Sequence, residues 1–174
     1  MSDAIRIRCL ESFGDREIQG LSDVLIDCVE GGASVSFMLP MTRAKAEAFW
    51  RRTAASAARG ERVVLAAEDD RGVCGTVQLV LDQPENQPHR AELSKMLVHR
   101  RARRRGVGAA LLVAAERSAL DAGKTLLVLD TASDDAERLY GRNGWQPCGQ
   151  VPGYALLPDG RPCATTFFYK FLGD

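Results

Sequence analysis

Residues 98–112 read VHRRARRRGVGAALL, and this segment decides the fold assignment. It follows a strand-like stretch, RAELSKMLV, and leads into a stretch whose apolar residues recur at helical spacing. Gly106 and Gly108 allow the backbone to turn tightly and to approach a ligand without a Cβ in the way. The first turn of a helix offers unpaired N–H groups and the positive end of the helix dipole. The segment therefore predicts a site for an anionic group such as a pyrophosphate, assisted by the neighbouring arginines.

This loop differs from other glycine-rich phosphate loops. A dinucleotide-binding loop needs GxGxxG, but Leu111 stands where the third glycine would be. A Walker A loop would continue with GK and Ser or Thr, and that triplet is missing. An arginine run by itself is typical of a solvated loop or a nucleic-acid patch. The glycines in register with a following helix favour phosphate binding instead.

Working outward from this loop, the periodicity predicts a layered α/β domain in the order β-α-α-β-β-β-α-β-α-β-β. The predicted helices cover 15–29, 43–59, about 108–122 and about 134–142. The predicted strands cover 5–10, 62–68, 73–81, 90–98 and 126–129, with two more around a turn at 158–160. Thr42 is a good N-cap for the second helix, and Gly123 ends the third.

The bulk composition limits the function classes. A length of 174 residues fits a single domain spanning 1–174. The 23 Lys and Arg residues balance 23 Asp and Glu residues, which argues against a surface built for nucleic acid or an anionic membrane. Neither a secretory signal nor a run of 18 apolar residues occurs. Five cysteines without a CxxC pair argue against a metal site or a disulfide framework, so we expect a cytoplasmic protein with reduced thiols.

Two segments resemble the GNAT acetyltransferase superfamily. The glycine loop matches its acetyl-CoA signature, [Q/R]-x-x-G-x-[G/A], at residues 103–108. Farther on, AERLYGRNGW at 136–145 resembles the segment A-x-x-L-Y-x-x-x-G-F, with Trp145 at the aromatic position. The resemblance implies an α/β GNAT fold, whose central sheet of about six to seven strands is twisted, mixed and mostly antiparallel. Helices would cover both faces, and the sheet would splay between the strands near 92–98 and 126–130.

The resemblance further implies an N-acetyltransferase, in which acetyl-CoA is the co-substrate and no metal takes part. The acetyl group would pass directly to the amine of a small molecule. The residues that the resemblance places against acetyl-CoA are Met96, Leu97, Val98, Arg103, Arg104, Arg105, Gly106, Val107, Gly108, Ala109, Thr131 and Ala136.

Three side chains receive catalytic roles from the same resemblance. Glu92 and Asp130 would lie near the thioester, and Tyr140 would protonate the leaving thiolate. An amine is mostly protonated at neutral pH, and a carboxylate at a strand end can accept its proton. Alternatively, Glu92 pairs with Arg90 or Lys95 on an exposed sheet face, Asp130 caps the following helix, and Tyr140 is a core aromatic. We expect Asp130 to be buried, because it interrupts an apolar strand, where a charge is costly without a partner or a purpose.

The acceptor is expected to contact the variable first half of the chain, at Asp27, Ser34 and Phe37; loop packing is the alternative reading of these residues. GGASV at 31–35 and the PGY and PDGR blocks within 152–161 are not general features of the superfamily. They resemble a branch that acetylates β-lactam toxin amino acids of the tabtoxinine-β-lactam type. Toxin resistance is therefore one expected role, and acetylation of an unrelated amine or amino acid is another.

Two further classes and the assembly state stay open in the sequence. A non-catalytic acyl-CoA-binding module would keep the glycine loop without needing the acids or the tyrosine. A nucleic-acid-binding protein is disfavoured, because only 6% of residues are aromatic and the net charge is zero. Exchange of a terminal strand or pairing of sheet edges would produce a homodimer.

Overall fold

A computed structural model describes residues 4–173 as seven strands and four helices. In chain order these elements are β1 (Arg6–Cys9), α1 (Asp15–Glu30), α2 (Arg43–Ala58), β2 (Arg62–Asp69), β3 (Gly72–Val80), β4 (Arg90–Val98), α3 (Val107–Asp121), β5 (Leu126–Thr131), α4 (Asp134–Arg142), β6 (Gln146–Leu156) and β7 (Pro162–Phe171). The predicted order and helix count are confirmed, and a short 3-10 helix at Arg100–Ala102 is added. Residues 1–3, which begin the segment searched for a secretory signal, lie outside the described range.

The seven strands form one sheet in the order β1-β2-β3-β4-β5-β7-β6. Every neighbouring pair is antiparallel except β4 and β5. Those two pair only from Arg90 with Leu126 to Glu92 with Val128, although β4 continues to Val98. The predicted splay is therefore present, and the later half of β4 has an edge without a partner strand on the β5 side.

Helices cover both faces of the sheet, as predicted. α3 and α4 enclose one core cluster, which contains Leu111, Leu112 and Tyr140. α1 and α2 enclose the second cluster, around Leu25 and Trp50. Each buried apolar side chain of this size contributes on the order of 2–3 kcal/mol through removal from water, so the two clusters anchor all four helices to the sheet.

Within residues 4–173 no helix is long and apolar enough to cross a membrane. The five cysteines are free thiols. In the same part of the chain, no three His, Cys, Asp or Glu side chains are grouped so that they could hold a metal ion.

Candidate active site

The N-terminus of α3 is open to an anionic ligand. Gly106 precedes the helix with φ 77° and ψ 5° and supplies no side-chain cap, and the first turn contains no acidic residue. In each of the other three described α-helices a side chain accepts a backbone N–H at the N-terminus. Glu17 does so at α1, Thr42 at α2 and Ser133 at α4. Because the first N–H groups of a helix have no intrahelical acceptor, those of residues 107–109 point toward any ligand that approaches α3.

Glycines shape the surroundings of this helix end. At Gly106 an added Cβ would meet no atom within 4 Å, so the loop is open on that side. At Gly108 an added Cβ would lie 3.0 Å from Leu139 Cδ2, so the first turn of α3 packs closely against α4. At Gly75 of β3 it would lie 2.9 Å from Val107 Cγ1. The absence of side chains at Gly75 and Gly108 therefore lets the N-terminus of α3 sit directly on the sheet beside the end of β4.

Two residues of the arginine run are anchored to one buried carboxylate. Arg101 Nη1 lies 2.5 Å from Asp69 Oδ2, and Arg105 Nη1 lies 3.2 Å from the same oxygen. The Asp69 side chain is only 1% exposed. Burial by itself would raise its pKa, but hydrogen bonds from Arg101 and the Arg71 N–H, with the arginine charges, lower the pKa overall. The Arg105 guanidinium also ties the loop to the β2–β3 turn through this contact, and the predicted contact of Arg105 with acetyl-CoA stays a prediction.

Asp69 was not recognised in the sequence, where it belongs to the turn Asp-Asp-Arg-Gly. Its ion-pair partners Arg101 and Arg105 lie 32 and 36 positions away along the sequence. No local pattern distinguishes it from Asp70, which is exposed. Only the folded arrangement shows which of the two aspartates turns inward.

The remaining arginines of the run have different surroundings. Arg103 Nε donates to the carbonyl oxygen of Val98 at 3.3 Å, and Arg104 is exposed with a φ of 60°. Arg100 donates its backbone N–H to Asp27 at 2.8 Å, and its guanidinium also contacts that carboxylate. Both carboxylate oxygens of Asp27 contact Arg100 and so fix the start of the 3-10 helix after β4, and the predicted role of Asp27 at the acceptor stays a prediction.

Glu92 and Asp130 lie on the same face of the sheet, where β4 and β5 part. Leu93 and Leu129 belong to the core under α3, and side chains alternate along a strand, so the two acids face the side of α1 and α2. Glu92 stands at the last β4–β5 pair, and Asp130 lies beyond it. The predicted pair of acids is therefore brought to one opening.

Glu92 is half-buried, and in the described range no basic group lies within ion-pair distance of it. Arg90 donates to Gln87, and Lys95 donates to Ser36. The alternative in which Glu92 pairs with Arg90 or Lys95 is therefore not observed.

Asp130 is exposed, so the expectation that it is buried was wrong. It belongs to the last two residues of β5, where the strand emerges from the core. Thr165 Oγ1 of β7 donates to Asp130 Oδ2 at 2.9 Å and orients the carboxylate. Ser133, not Asp130, caps α4 by accepting the Ala136 N–H.

Tyr140 is a core aromatic residue on which the negative charge of Asp130 acts. Its ring lies 5.7 Å from that of Trp145 and 5.8 Å from that of Phe168, between centroids, and only 4% of the residue is exposed. Burial raises the pKa of its hydroxyl strongly, and the negative charge of Asp130 raises it further. The hydroxyl is therefore protonated at neutral pH.

The segment 31–41 lies against the β6–β7 hairpin. Ser34 Oγ donates to the Leu156 carbonyl at 3.3 Å, and the Leu39 N–H donates to the Pro158 carbonyl at 3.0 Å. Phe37 packs edge-to-face on Phe49 of α2, with ring centroids 5.1 Å apart. Ser34 and Phe37 therefore both have packing partners, as the alternative reading of these residues expected.

The other predicted ligand contacts surround the opening. Met96, Leu97 and Val98 form the part of β4 that has no partner on the β5 side. Thr131 ends β5, and its hydroxyl accepts the Ser133 N–H at 3.3 Å. Ala136 lies in the first turn of α4 and packs on the core. These predicted contacts thus lie on the free edge of β4, at the end of β5 and in the first turn of α4.

The sequence profile described as the acetyltransferase (GNAT) family matches residues 34–145. The chain therefore belongs to the GNAT acetyltransferase family. The matched part runs from the loop before α2 to Trp145 and includes the arginine–glycine loop, both acids and Tyr140.

Solved structures share the whole fold. An N-acetyltransferase of Staphylococcus aureus Mu50 superposes with a TM-score of 0.81 at 17% identity, covering 98% of this chain and 99% of that one. The yncA protein of Salmonella typhimurium, solved with its cofactor acetyl-CoA, gives 0.78 at 22% identity, covering 99% and 96%. A GNAT superfamily phosphinothricin acetyltransferase of Sinorhizobium meliloti, in complex with acetyl-CoA, gives 0.80 at 19% identity, covering 99% and 90%. At these identities the likeness establishes the fold.

Proposed function

We propose that the protein is an acetyl-CoA-dependent N-acetyltransferase that transfers the acetyl group directly to the amine of a small molecule. The observation that carries the proposal is the uncapped N-terminus of α3, which opens beside the place where β4 and β5 part. The two structural neighbours named above with acetyl-CoA support this choice of co-substrate.

The open N-terminus of α3 fits the pyrophosphate of acetyl-CoA. Its N–H groups at Val107, Gly108 and Ala109 would bind phosphate oxygens, and Arg103 and Arg104 would supply positive charge. The free edge of β4 at residues 96–98 would hydrogen-bond the amide-bearing arm, because strand edges offer unpaired N–H and C=O groups. Thr131 and Ala136 would line the opposite wall, and the chemistry needs no metal.

Proton removal from the acceptor amine is assigned to Glu92 and Asp130. Both carboxylates face the opening, and neither is neutralised by an ion pair in the described part of the chain. Asp130 is the better placed of the two, because it lies beyond the last β4–β5 pair and is oriented by Thr165. Its exposure lets it attract an incoming ammonium and accept a proton from it, so that the neutral amine can then attack the thioester carbonyl.

Tyr140 is assigned the role of proton donor to the leaving thiolate. Its hydroxyl carries a proton to donate, and Tyr140 lies one helical turn after Ala136 in α4, which we propose to line the opening. Unpaired backbone N–H groups of β4 would stabilise the negative charge that develops on the carbonyl oxygen during transfer.

We propose a β-lactam toxin amino acid of the tabtoxinine-β-lactam type as the acceptor, as in the tabtoxin resistance protein that the chain resembles. Support comes from the meeting of the two discriminating sequence blocks. Ser34, in the block at 31–35, contacts Leu156, within the block region 152–161. The two blocks are therefore in contact, and we propose that together they form part of the acceptor site.

The test is acetyl-CoA-dependent thiol release with a panel of small amines that includes tabtoxinine-β-lactam. Turnover of the lactam alone would support the resistance role, and turnover of other amines only would keep the transferase and remove the toxin. Tight acetyl-CoA binding without any turnover would favour the non-catalytic module.

A homodimer stays a prediction. β6 is the outer strand of the sheet, and Val151, Tyr154 and Leu156 expose between 42% and 53% of their surface. An open edge with apolar side chains is a surface on which a second copy could pair. The cytoplasmic location also stays a prediction.

A further inference from the structure

Three non-glycine residues in the described part of the chain adopt positive φ: Ser36 at 74°, Lys95 at 53° and Arg104 at 60°. This conformation is sterically unfavourable for an L-residue and concentrates at functional sites. Arg104 belongs to the loop that we assign to the pyrophosphate. The other two come from separate segments, yet Lys95 Nζ donates to Ser36 Oγ at 3.2 Å.

The strand geometry explains why Lys95 leaves the regular pattern of β4. The register with β3 shifts between the pairs Gln78–Ser94 and Thr76–Leu97, so Lys95 and Met96 together stand opposite a single residue. Such a bulge redirects a side chain and is common beside active sites. Here it begins three residues after Glu92, in the part of β4 that is not paired with β5.

The Lys95 ammonium has few partners. The side chain is half-buried, and among residues 4–173 its only hydrogen-bond acceptor is Ser36. The negative charges of Asp130 and Glu92 act on it, but neither carboxylate lies within 4.0 Å. Burial lowers the pKa of Lys95, and the two acids oppose this shift. An ammonium has three donors, so two remain for a ligand.

Other buried or half-buried lysines of the chain are satisfied by the protein itself. Lys124 Nζ donates to two backbone carbonyls, at 3.0 and 2.9 Å. Lys170 Nζ contacts Glu116 at 2.8 Å and a backbone carbonyl at 2.7 Å. Lys95 differs from both, because in the part of the chain that the structure describes it has a single hydrogen bond, to Ser36, and no carboxylate within ion-pair distance neutralises its charge.

We infer that Lys95 binds the carboxylate of the acceptor and thereby selects amino acids over simple amines. The inference rests on the proposed function and names its substrate class. The two ends of an amino acid match the charges of the cleft, since Asp130 attracts the ammonium and Lys95 the carboxylate. Ser36 positions Lys95 through their hydrogen bond.

The experiment measures kcat/KM for L-amino acids and for the matching α-carboxamides, which keep the amine and lose the negative charge. Lys95→Asn removes the positive charge, and asparagine tolerates positive φ better than most residues. Lys95→Arg retains the charge. Arg90→Gln is the matched control, because it also removes a positive charge from β4. The Arg90 guanidinium already donates to Gln87.

We expect the wild type to prefer carboxylates to carboxamides. Lys95→Asn should lower kcat/KM for the carboxylates by about 10- to 100-fold, the range of a charged hydrogen bond, and leave the carboxamides unchanged. Lys95→Arg should restore part of the preference, and Arg90→Gln should not alter it.

Equal losses for both members of each pair would overturn the inference, as would a wild type that accepts carboxamides as well as carboxylates. Calorimetric titration with acetyl-CoA distinguishes failure of the Lys95 role from failure of the proposed function. An enzyme that binds acetyl-CoA but acetylates no amino acid disproves the role of Lys95 alone, whereas failure to bind acetyl-CoA disproves the proposed function and the inference together.

Discussion

Replacing Gly106 by alanine tests whether the N-terminus of α3 is the pyrophosphate site. The residue has φ 77°, and an added Cβ would meet no protein atom within 4 Å. The substitution therefore causes no clash inside the fold. Gly123, just beyond the other end of the same helix, has φ 74° and equally open space. Gly123→Ala is therefore a control with nearly the same backbone strain, far from the proposed ligand.

The size of each effect can be estimated separately. An alanine forced into the left-handed region costs about 1–2 kcal/mol, which lowers the Tm of a chain of this length by roughly 2–8 °C. Both variants should show this loss. Only Gly106→Ala places a methyl group where we propose the phosphate oxygens. Loss of one hydrogen bond to a charged group costs about 1.5–3 kcal/mol, so acetyl-CoA affinity should fall at least about tenfold.

Thermal unfolding and calorimetric titration with acetyl-CoA measure the two quantities. We expect matched Tm values for the two variants and weaker acetyl-CoA binding for Gly106→Ala alone. If Gly123→Ala weakens binding equally, helix strain and not the site explains the loss. If Gly106→Ala binds acetyl-CoA as tightly as the wild type, the pyrophosphate does not lie at the start of α3.

Three further substitutions test other parts of the site. Tyr140→Phe should lower kcat on the order of 100-fold while acetyl-CoA affinity is retained; an unchanged kcat would remove Tyr140 as the acid. Asp130→Asn should lower kcat more than Glu92→Gln, and the reverse order would assign proton acceptance to Glu92. Asp69→Asn should lower the free energy of unfolding by about 2–3 kcal/mol at neutral pH, because two arginines lose a buried charged partner. Since folding lowers the pKa of Asp69, this difference from the wild type is present above the unfolded pKa of about 3.9 and shrinks as the pH falls toward the lower folded value. A deficit that does not change between neutral and strongly acid pH, measured by denaturant unfolding, would contradict the role of this charge.

The order of helices and strands could be predicted from the sequence because the signals are local. The Thr42 hydroxyl accepts the Lys45 N–H three residues later, and Gly123, with its positive φ, follows the end of α3. Periodicity along a single segment is enough to place such elements. The splay of β4 from β5 came from family resemblance, because no periodic pattern encodes where two strands stop pairing.

Side-chain partners were harder to predict because they depend on distant segments. Asp27 lies 73 positions from Arg100, its partner in the structure. Asp130 was expected to be buried because the residues before it are apolar, but the strand leaves the core at that point. The arginines of residues 100–105 are indistinguishable in the sequence. In the structure Arg101 and Arg105 form ion pairs with Asp69, whereas Arg104 is exposed.

Residues with positive φ occur both in the proposed pyrophosphate loop and at the proposed acceptor site. Neither composition nor periodicity predicts this backbone conformation. Glycine meets the need for positive φ at Gly106, where we propose that a side chain would obstruct the pyrophosphate. At Arg104, Ser36 and Lys95 the same region of φ is occupied by residues for which it is unfavourable. Glycine would remove that strain at each position, but it would also remove a guanidinium, a hydroxyl and an ammonium. We infer that these side chains are present despite the strain because of the ligands that we propose for them: phosphate at Arg104, and the acceptor at the Ser36–Lys95 pair.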